Sequence, residues 1–199
     1  MAVSKLWSIN EDGLSRVLQY AANPKKTNNK LYISGINCEP ETAYEEFTAV
    51  KRSYAKADGI EAYHGYLSFK EQNITPELTM KIGTEFAQEV WGKRFQVLVT
   101  VHTDTEHPHC HFVINSVSFV DGKKLWGEEK AWFKFKQTAD RLCEKYGLYY
   151  NPKLVRGKSS SYHYNREKKG EPTRYLLARE AMEKALLQCT NTADLRYTL

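Results

Sequence analysis

Cysteine is scarce in this chain, and the four that occur, at 38, 110, 143 and 189, include no Cys-x-x-Cys pair. Neither a zinc knuckle nor a disulfide framework is therefore indicated. Long apolar runs are also missing. No stretch approaches the ~20 residues of a membrane span, and Met1-Ala2-Val3-Ser4-Lys5-Leu6-Trp7 lacks the core of a signal peptide. The expectation is a cytoplasmic protein with no membrane insertion. Internal repeats are absent, and strict βαβ alternation is absent too, which argues against a doubly wound sheet. What remains is ordinary globular composition, 41% hydrophobic and 27% charged over 199 residues. That is enough for one well-buried domain with room for an appendage.

Charge is unevenly spread. Of the 29 basic and 24 acidic residues, seven and two fall between Lys153 and Arg174, leaving 22 of each sign elsewhere. The seven are Lys153, Arg156, Lys158, Arg166, Lys168, Lys169 and Arg174. A neutral body with a basic arm suits a polyanion, nucleic acid first. On charge alone a solvated loop fits equally well. Gly157, Ser159-Ser160-Ser161 and Gly170 make the arm read as mobile. Tyr162, His163 and Tyr164 stand within it as stacking platforms for bases.

Periodicity and punctuation predict the elements. Strands are expected at Ser4–Ile9, Lys30–Ile36, Glu61–Phe69 and Phe95–His102. Leu14, Val17, Leu18 and Ala21 mark a helix closed by Asn23-Pro24. Pro40 to about Ala55 reads as a helix with Tyr44, Phe47 and Val50 as its apolar stripe. Thr75-Pro76 is a hydroxyl cap followed by proline at the first helical position, opening a helix to Trp91. Asp121-Gly122 suggests a tight hairpin between Val117–Phe119 and Lys124–Trp126. A helix over Lys130–Tyr146 is stopped by Gly147, and a last one is expected from Pro172 to about Gln188. The fold class is α+β: a central antiparallel sheet of about five strands flanked by helices.

Four of the six histidines fall within His102-Thr103-Asp104-Thr105-Glu106-His107-Pro108-His109-Cys110-His111-Phe112-Val113-Ile114-Asn115. Phe112-Val113-Ile114 identifies a strand entering a core, and residues 104–108 are turn-formers. In such a hairpin His102 stands on one arm, with His109 and His111 on one face of the other. Cys110 points away into the core. Three imidazoles converging on one ion leave coordination positions open, the mark of a catalytic metal. A phosphate oxygen is a natural occupant, polarised and oriented by the ion. A nucleophile is still required.

The pattern of His102 to Asn115 resembles the third motif of conjugative relaxases, members of the HUH endonucleases. Val17-Leu18-Gln19-Tyr20-Ala21-Ala22-Asn23-Pro24-Lys25-Lys26-Thr27 resembles their first motif in the mobilisation-protein class, where a tyrosine of an early helix attacks DNA. The likeness extends through Tyr44-Glu45-Glu46, Ala62-Tyr63-His64-Gly65-Tyr66 and Asn115 to Gly122. It is strongest to relaxases of Gram-positive mobile elements.

The resemblance implies His102, His109 and His111 as metal ligands and Tyr20 as nucleophile. The implied reaction is transesterification at the nick site of a transfer origin, giving a 5′-phosphotyrosyl link and a free 3′-hydroxyl. A phenol with a pKa near ~10 needs a base or a nearby cation. Asp104, His107 and His64 are candidates to deprotonate it or to orient a ligand histidine. His107 belongs to the turn and stays outside the ligand set. Asn115 shares the face of His109 and His111, and either tethers a loop or touches DNA.

The family implies Mg²⁺ or Mn²⁺, although neutral imidazoles bind Zn²⁺, Ni²⁺ or Co²⁺ more tightly. Its partners would be single-stranded DNA at the nick, flanking origin duplex or hairpin, and accessory relaxosome and coupling proteins. Residues 1–150 would form the relaxase core. Residues 151–199 would form a basic DNA-binding arm and terminal helix of a longer protein. Two other readings fit the letters. His107-Pro108-His109-Cys110-His111 matches histidine-triad nucleotide hydrolases, and a structural zinc could serve a non-catalytic DNA-binding module.

Overall fold

The computed structural model describes residues 3–150 except 11, 72, 106, 126 and 127. Beyond these it describes 166, 169–171, 173, 177–178 and 180–181. The chain divides into two units, Met1–Pro152 and Lys153–Leu199. In the first, the elements run β1 (Val3–Ile9), α1 (Leu14–Ala21), β2 (Ile33–Ile36), α2 (Ala43–Ser53), β3 (Ala62–Ser68), α3 (Pro76–Val90), β4 (Val97–His102), β5 (His109–Asn115) and α4 (Glu128–Lys145). The strands form one antiparallel sheet in the order β1-β3-β5-β4-β2. This is the α+β architecture expected from the sequence.

Side chains alternate across a strand, so the sheet has two inner faces. On one, Val97, Val99, Val101, Cys110, Phe112, Ile114 and Leu67 pack with Ile82 and Phe86 of α3 and Phe135, Ala139 and Leu142 of α4. Cys110 is fully buried there, its thiol donating to Thr79 O at 3.1 Å. A Cβ at Gly83 would lie 2.3 Å from Cys110 Sγ, so glycine is what lets α3 approach β5. On the other face, Leu98, Val113 and Ala62 pack with Leu14, Val17, Leu18 and Ala21 of α1 and Ala43 and Phe47 of α2. Burying Leu14, Val17 and Leu18 stabilises by about 1.5–3 kcal/mol apiece.

Thr75 caps α3 as expected, its hydroxyl accepting from Leu78 N, and Pro76 follows at the first helical position. Gly147, with φ +67°, ends α4. Three expectations need correction. β2 starts at Ile33 and not at Lys30, because Asn28, Asn29 and Lys30 all adopt left-handed backbone, which cannot extend into a strand. The buried stripe of α2 is Ala43, Phe47 and Lys51, with Tyr44 exposed. That rotation lets Lys51 Nζ donate to Glu61 O at 3.3 Å. Among the described residues the second hairpin has its turn at Gly122 but no strands. A single bridge joins Val117 and Lys124, and Trp126 lies outside the described residues. Among the described residues no helix is long and apolar enough to cross a membrane.

Candidate active site

Helix α1 is fastened at both ends to the sheet that carries the histidines. Its N-cap, Gly13, offers no side-chain acceptor. Glu61, immediately before β3, fills that role from a distance, its Oε2 accepting from Gly13 N at 3.1 Å and Leu14 N at 2.8 Å. A carboxylate there satisfies orphan donors and meets the positive end of the helix dipole. At the other end, His102 Nε2 donates to Ala21 O at 3.0 Å. Between these anchors the apolar stripe faces the sheet, and Tyr20, one residue off it, stands over the imidazoles at 44% exposure. Its ring centroid is 5.4 Å from His102, 5.7 Å from His111 and 5.9 Å from His64.

Register brings the histidines together. His102 pairs with His109, and Thr100 with His111, across the β4–β5 ladder. On the other side of β5, His111 faces Tyr66, so His64, two residues away, shares its face. One ligand atom from each of His102, His109 and His111 lies within 4.8 Å of the other two.

The remaining ring nitrogens are all spoken for, and that assigns the tautomers. A carbonyl only accepts, so His102 carries its proton on Nε2, facing Ala21 O, and His109 on Nδ1, facing His107 O at 3.0 Å. The lone pairs are then at His102 Nδ1 and His109 Nε2. His111 Nδ1 lies 2.9 Å from His64 Nε2. Nδ1 of His102 and Nε2 of His111 are buried with no hydrogen-bond partner. Unpaired buried nitrogens on two members of a converging triad are a donor set for a cation, with each ring oriented by a bond to its second nitrogen.

Burial favours the neutral form of His64, His102 and His111. It lowers the pKa of His64 to about 4, with the charge on His102 adding to the effect. It also lowers His102, opposed in part by the bond to Ala21 O, and lowers His111, with His102, His64 and His109 contributing. A neutral imidazole is the form that binds a metal. The arrangement can therefore hold a divalent cation.

Beside the triad, Lys26 Nζ is 3.0 Å from Asp104 Oδ2 and 4.7 Å from the centroid of the Tyr20 ring. The bond to Asp104 raises the Lys26 pKa against the cost of burial. Burial works against ionisation of Asp104, but the Lys26 bond and charge outweigh it and hold the carboxyl below its usual range. Lys26 is fixed through its own carbonyl, which accepts from Thr103 N at 2.7 Å.

His107 is half-buried and its ring is outside the converging group; its carbonyl orients His109. Asn115, fully buried at the far end of β5, donates to Phe47 O and Gln96 Oε1 and so tethers α2 to the strand. Of the basic arm, Lys153, Arg156, Lys158, Lys168 and Arg174 lie outside the described residues. Lys169 is exposed, and Arg166 Nε bonds Glu171 at 2.6 Å. Lys26 and Glu61 carried no role in the sequence reading. Lys26 was visible only as part of the Lys25-Lys26-Thr27 run, and nothing local marks Glu61 as the cap of a helix 47 residues away.

Residues 20–148 match the model of the relaxase family described as MobA/VirD2-like, nuclease domain. A protein named rlx from Staphylococcus aureus is 37% identical over 148 residues, covering 74% of this chain and 44% of that protein. The group II intron-interrupted relaxase LtrB of Lactococcus lactis subsp. cremoris is 25% identical over 191 residues, covering 77% of this chain and 34% of LtrB. The chain thus spans less than half the length of these relatives. The fold is also that of the Mn-bound MobM relaxase domain in complex with plasmid pMV158 oriT DNA. That likeness has a TM-score of 0.54 at 12% identity, covering 83% of this chain and 98% of MobM's.

Proposed function

This chain belongs to the MobA/VirD2-like relaxase family, and on that premise we propose that it is a site- and strand-specific DNA nickase with Tyr20 as nucleophile and His102, His109 and His111 as ligands of a divalent cation. The observation that carries the reading is the position of Tyr20. Its ring lies 5.4 and 5.7 Å from two imidazoles of the triad whose ligand atoms lie within 4.8 Å of one another.

The triad fits a metal because the free nitrogens of His102 and His111 are buried, unpartnered and held neutral, and the half-buried His109 adds a third ligand atom within 4.8 Å of theirs. When bound, a divalent ion, Mg²⁺ or Mn²⁺ in the family, polarises a phosphate oxygen and orients the phosphorus. The chain's own residues do the rest. The Tyr20 phenolic oxygen forms a bond to the scissile phosphorus as the bond to the 3′-oxygen breaks. The phenolic proton passes to solvent water and the departing 3′-oxygen takes one up to leave as a hydroxyl, so the phosphodiester energy is kept in the 5′-phosphotyrosyl ester for rejoining. Lys26, held by Asp104, places a cation over the ring of the attacking tyrosine.

His64 orients His111. For His111 to offer Nε2, its proton must sit on Nδ1 and be donated to His64 Nε2. That nitrogen is then occupied and not free to take a proton from Tyr20. Asp104, paired with Lys26, is a holder of the cation.

The substrate would be single-stranded DNA at the nick of a transfer origin, with flanking duplex or hairpin held by the basic arm. Accessory relaxosome and coupling proteins would complete the cytoplasmic assembly. A structural zinc would need a fourth protein ligand, and His107, the sequence's offer, stands outside the group. The test is incubation with single-stranded oligonucleotides tiling the origin of the encoding element, with Mn²⁺ or with chelator. A slow-migrating protein–DNA adduct on a denaturing gel, lost with chelator, is expected. Cleavage to two free ends with no adduct would contradict the proposal.

A further inference from the structure

A hollow of about 560 Å³ opens directly beside the triad, bounded by β1 and α1, and the proposed chemistry uses only one corner of it. Tyr20, His64 and His111 line that corner. Trp7 continues the lining next to His64, and Asn10 and Arg16, both exposed, line the hollow too. Its size is that of a small-ligand site.

Trp7 is a held aromatic plane. It pairs directly with His64 across the β1–β3 ladder. Its indole meets the His64 ring edge-on at 4.6 Å, 64° between planes, and the Tyr66 ring at 6.2 Å. The residue is nonetheless only half-buried on an edge strand, and the cation that stands over its ring, Lys5 Nζ at 5.9 Å from the centroid, is a long flexible side chain that a base can displace. Arg16, one helical turn before Tyr20 on α1, bonds Asp12 O through Nε at 3.2 Å, which leaves the rest of its guanidinium fork. An aromatic plane next to a cation is the pairing that single-stranded nucleic acid binds, base on ring and phosphate on cation.

Resting on the nickase reading, we infer that this hollow is the subsite for one nucleotide directly flanking the scissile phosphate, its base unstacked onto Trp7 and its outer phosphate on Arg16. The juxtaposition selects the occupant. Because the hollow shares Tyr20 and His111 with the reaction centre, a group joined to the phosphate under attack is carried into it. A nucleoside with its second phosphate is such a group. Gripping it would fix which phosphate faces Tyr20, so the subsite positions the nick and need not read sequence by hydrogen bonds.

The experiment is a binding cycle. Wild type, Trp7→Ala, Trp7→Phe and Arg16→Ala are titrated with a fluorescent single strand spanning the mapped nick, in Mn²⁺. Each strand is used intact, or with an abasic site at the position 5′ or 3′ of the nick. Trp7→Ala is expected to weaken binding of the intact strand about 5- to 100-fold, Trp7→Phe much less. An abasic site at one of the two positions is expected to weaken wild type by a similar factor and leave Trp7→Ala unchanged. Losses that multiply at both positions, or a Trp7→Ala that binds like wild type, overturn the inference. A Trp7→Phe as weak as Trp7→Ala overturns it too, since a ring is present in one and absent in the other. Adduct formation by wild type on the same strand is scored separately. If wild type forms adduct and the cycle is additive, only the subsite fails; if wild type forms none, the nickase reading fails and the subsite with it.

Discussion

His64 Nε2 lies 2.9 Å from His111 Nδ1, and this one bond decides which nitrogen of His111 is left for a cation. If His64 accepts, His111 Nε2 keeps its lone pair; if His64 donates, His111 is protonated on the wrong nitrogen. A histidine in this role has a property a carboxylate would lack. It accepts only while neutral, and burial, lowering its pKa to about 4, keeps it neutral through the physiological range.

Removing that acceptor should loosen the metal without removing a ligand. His64→Ala is expected to weaken Mn²⁺ binding about 10–100-fold, whereas His111→Ala or His109→Ala abolishes it. His107→Ala should have a smaller effect, since its ring lies outside the triad and its carbonyl remains. Calorimetric titration separates these classes. Loss of the metal in His107→Ala with retention in His102→Ala would mean that the ligand set is misassigned.

The buried imidazoles make the metal-free protein acid-sensitive. For His64 the folded pKa, about 4, is below the unfolded value near 6.5. The unfolded state therefore binds more protons between these values, so stability is full above about pH 6.5 and falls as pH drops toward 4. His64 alone should account for roughly 2 kcal/mol between pH 7 and pH 5, and His102 and His111 act in the same direction. Urea unfolding of chelated protein at the two pH values checks this. Equal stability at both would show the rings are not held neutral.

Glu61 should matter to cleavage although it touches neither metal nor tyrosine. Glu61→Ala leaves Gly13 N and Leu14 N without their acceptor and should cost about 1 kcal/mol of stability. Single-turnover cleavage should slow, since α1 carries Tyr20, while Mn²⁺ affinity stays near wild type. Glu61→Gln, which keeps an accepting oxygen, should recover most of the rate. If the two variants are equally slow, the negative charge and not the hydrogen bonds is what counts.

The proposal that the basic arm holds DNA is tested by salt. Each phosphate neutralised contributes about 0.7–0.9 to the slope of log affinity against log salt. Replacing Lys158, Arg166, Lys168 and Lys169 with Ala should therefore flatten the slope by roughly two or more, with cleavage at saturating DNA largely preserved. Arg166 already bonds Glu171 and should contribute least of the four. An unchanged slope would make the arm a solvated loop.

Much of this was legible in the chain because the signals are local. Alternation around Val97–His102 and His109–Asn115 reveals a hairpin, and its period of two puts His102, His109 and His111 on one side. The Thr75-Pro76 start of α3 and the Gly147 stop of α4 are also short-range chemistry. The strand order is not local. That β3 enters beside β5, bringing His64 under His111, depends on pairings 47 residues apart. Glu61 capping α1, and Lys26 meeting Asp104 beside Tyr20, are likewise made only by the assembled fold. The start of β2 was misread because three successive left-handed residues look, in sequence, like ordinary polar lead-in.

The most direct test is to locate the DNA on the protein. Wild type is reacted with the origin strand in Mn²⁺, digested with nuclease and trypsin, and the nucleotide-bearing peptide is sequenced by mass spectrometry, with Tyr20→Phe alongside. The expected result is a phosphodiester adduct on Tyr20 in the peptide spanning residues 17–25, absent from Tyr20→Phe. That variant should still bind the strand within about threefold of wild type, because the phenolic oxygen contributes to the chemistry far more than to ground-state affinity. An adduct on another tyrosine or on a histidine, or one that persists in Tyr20→Phe, would contradict the assignment.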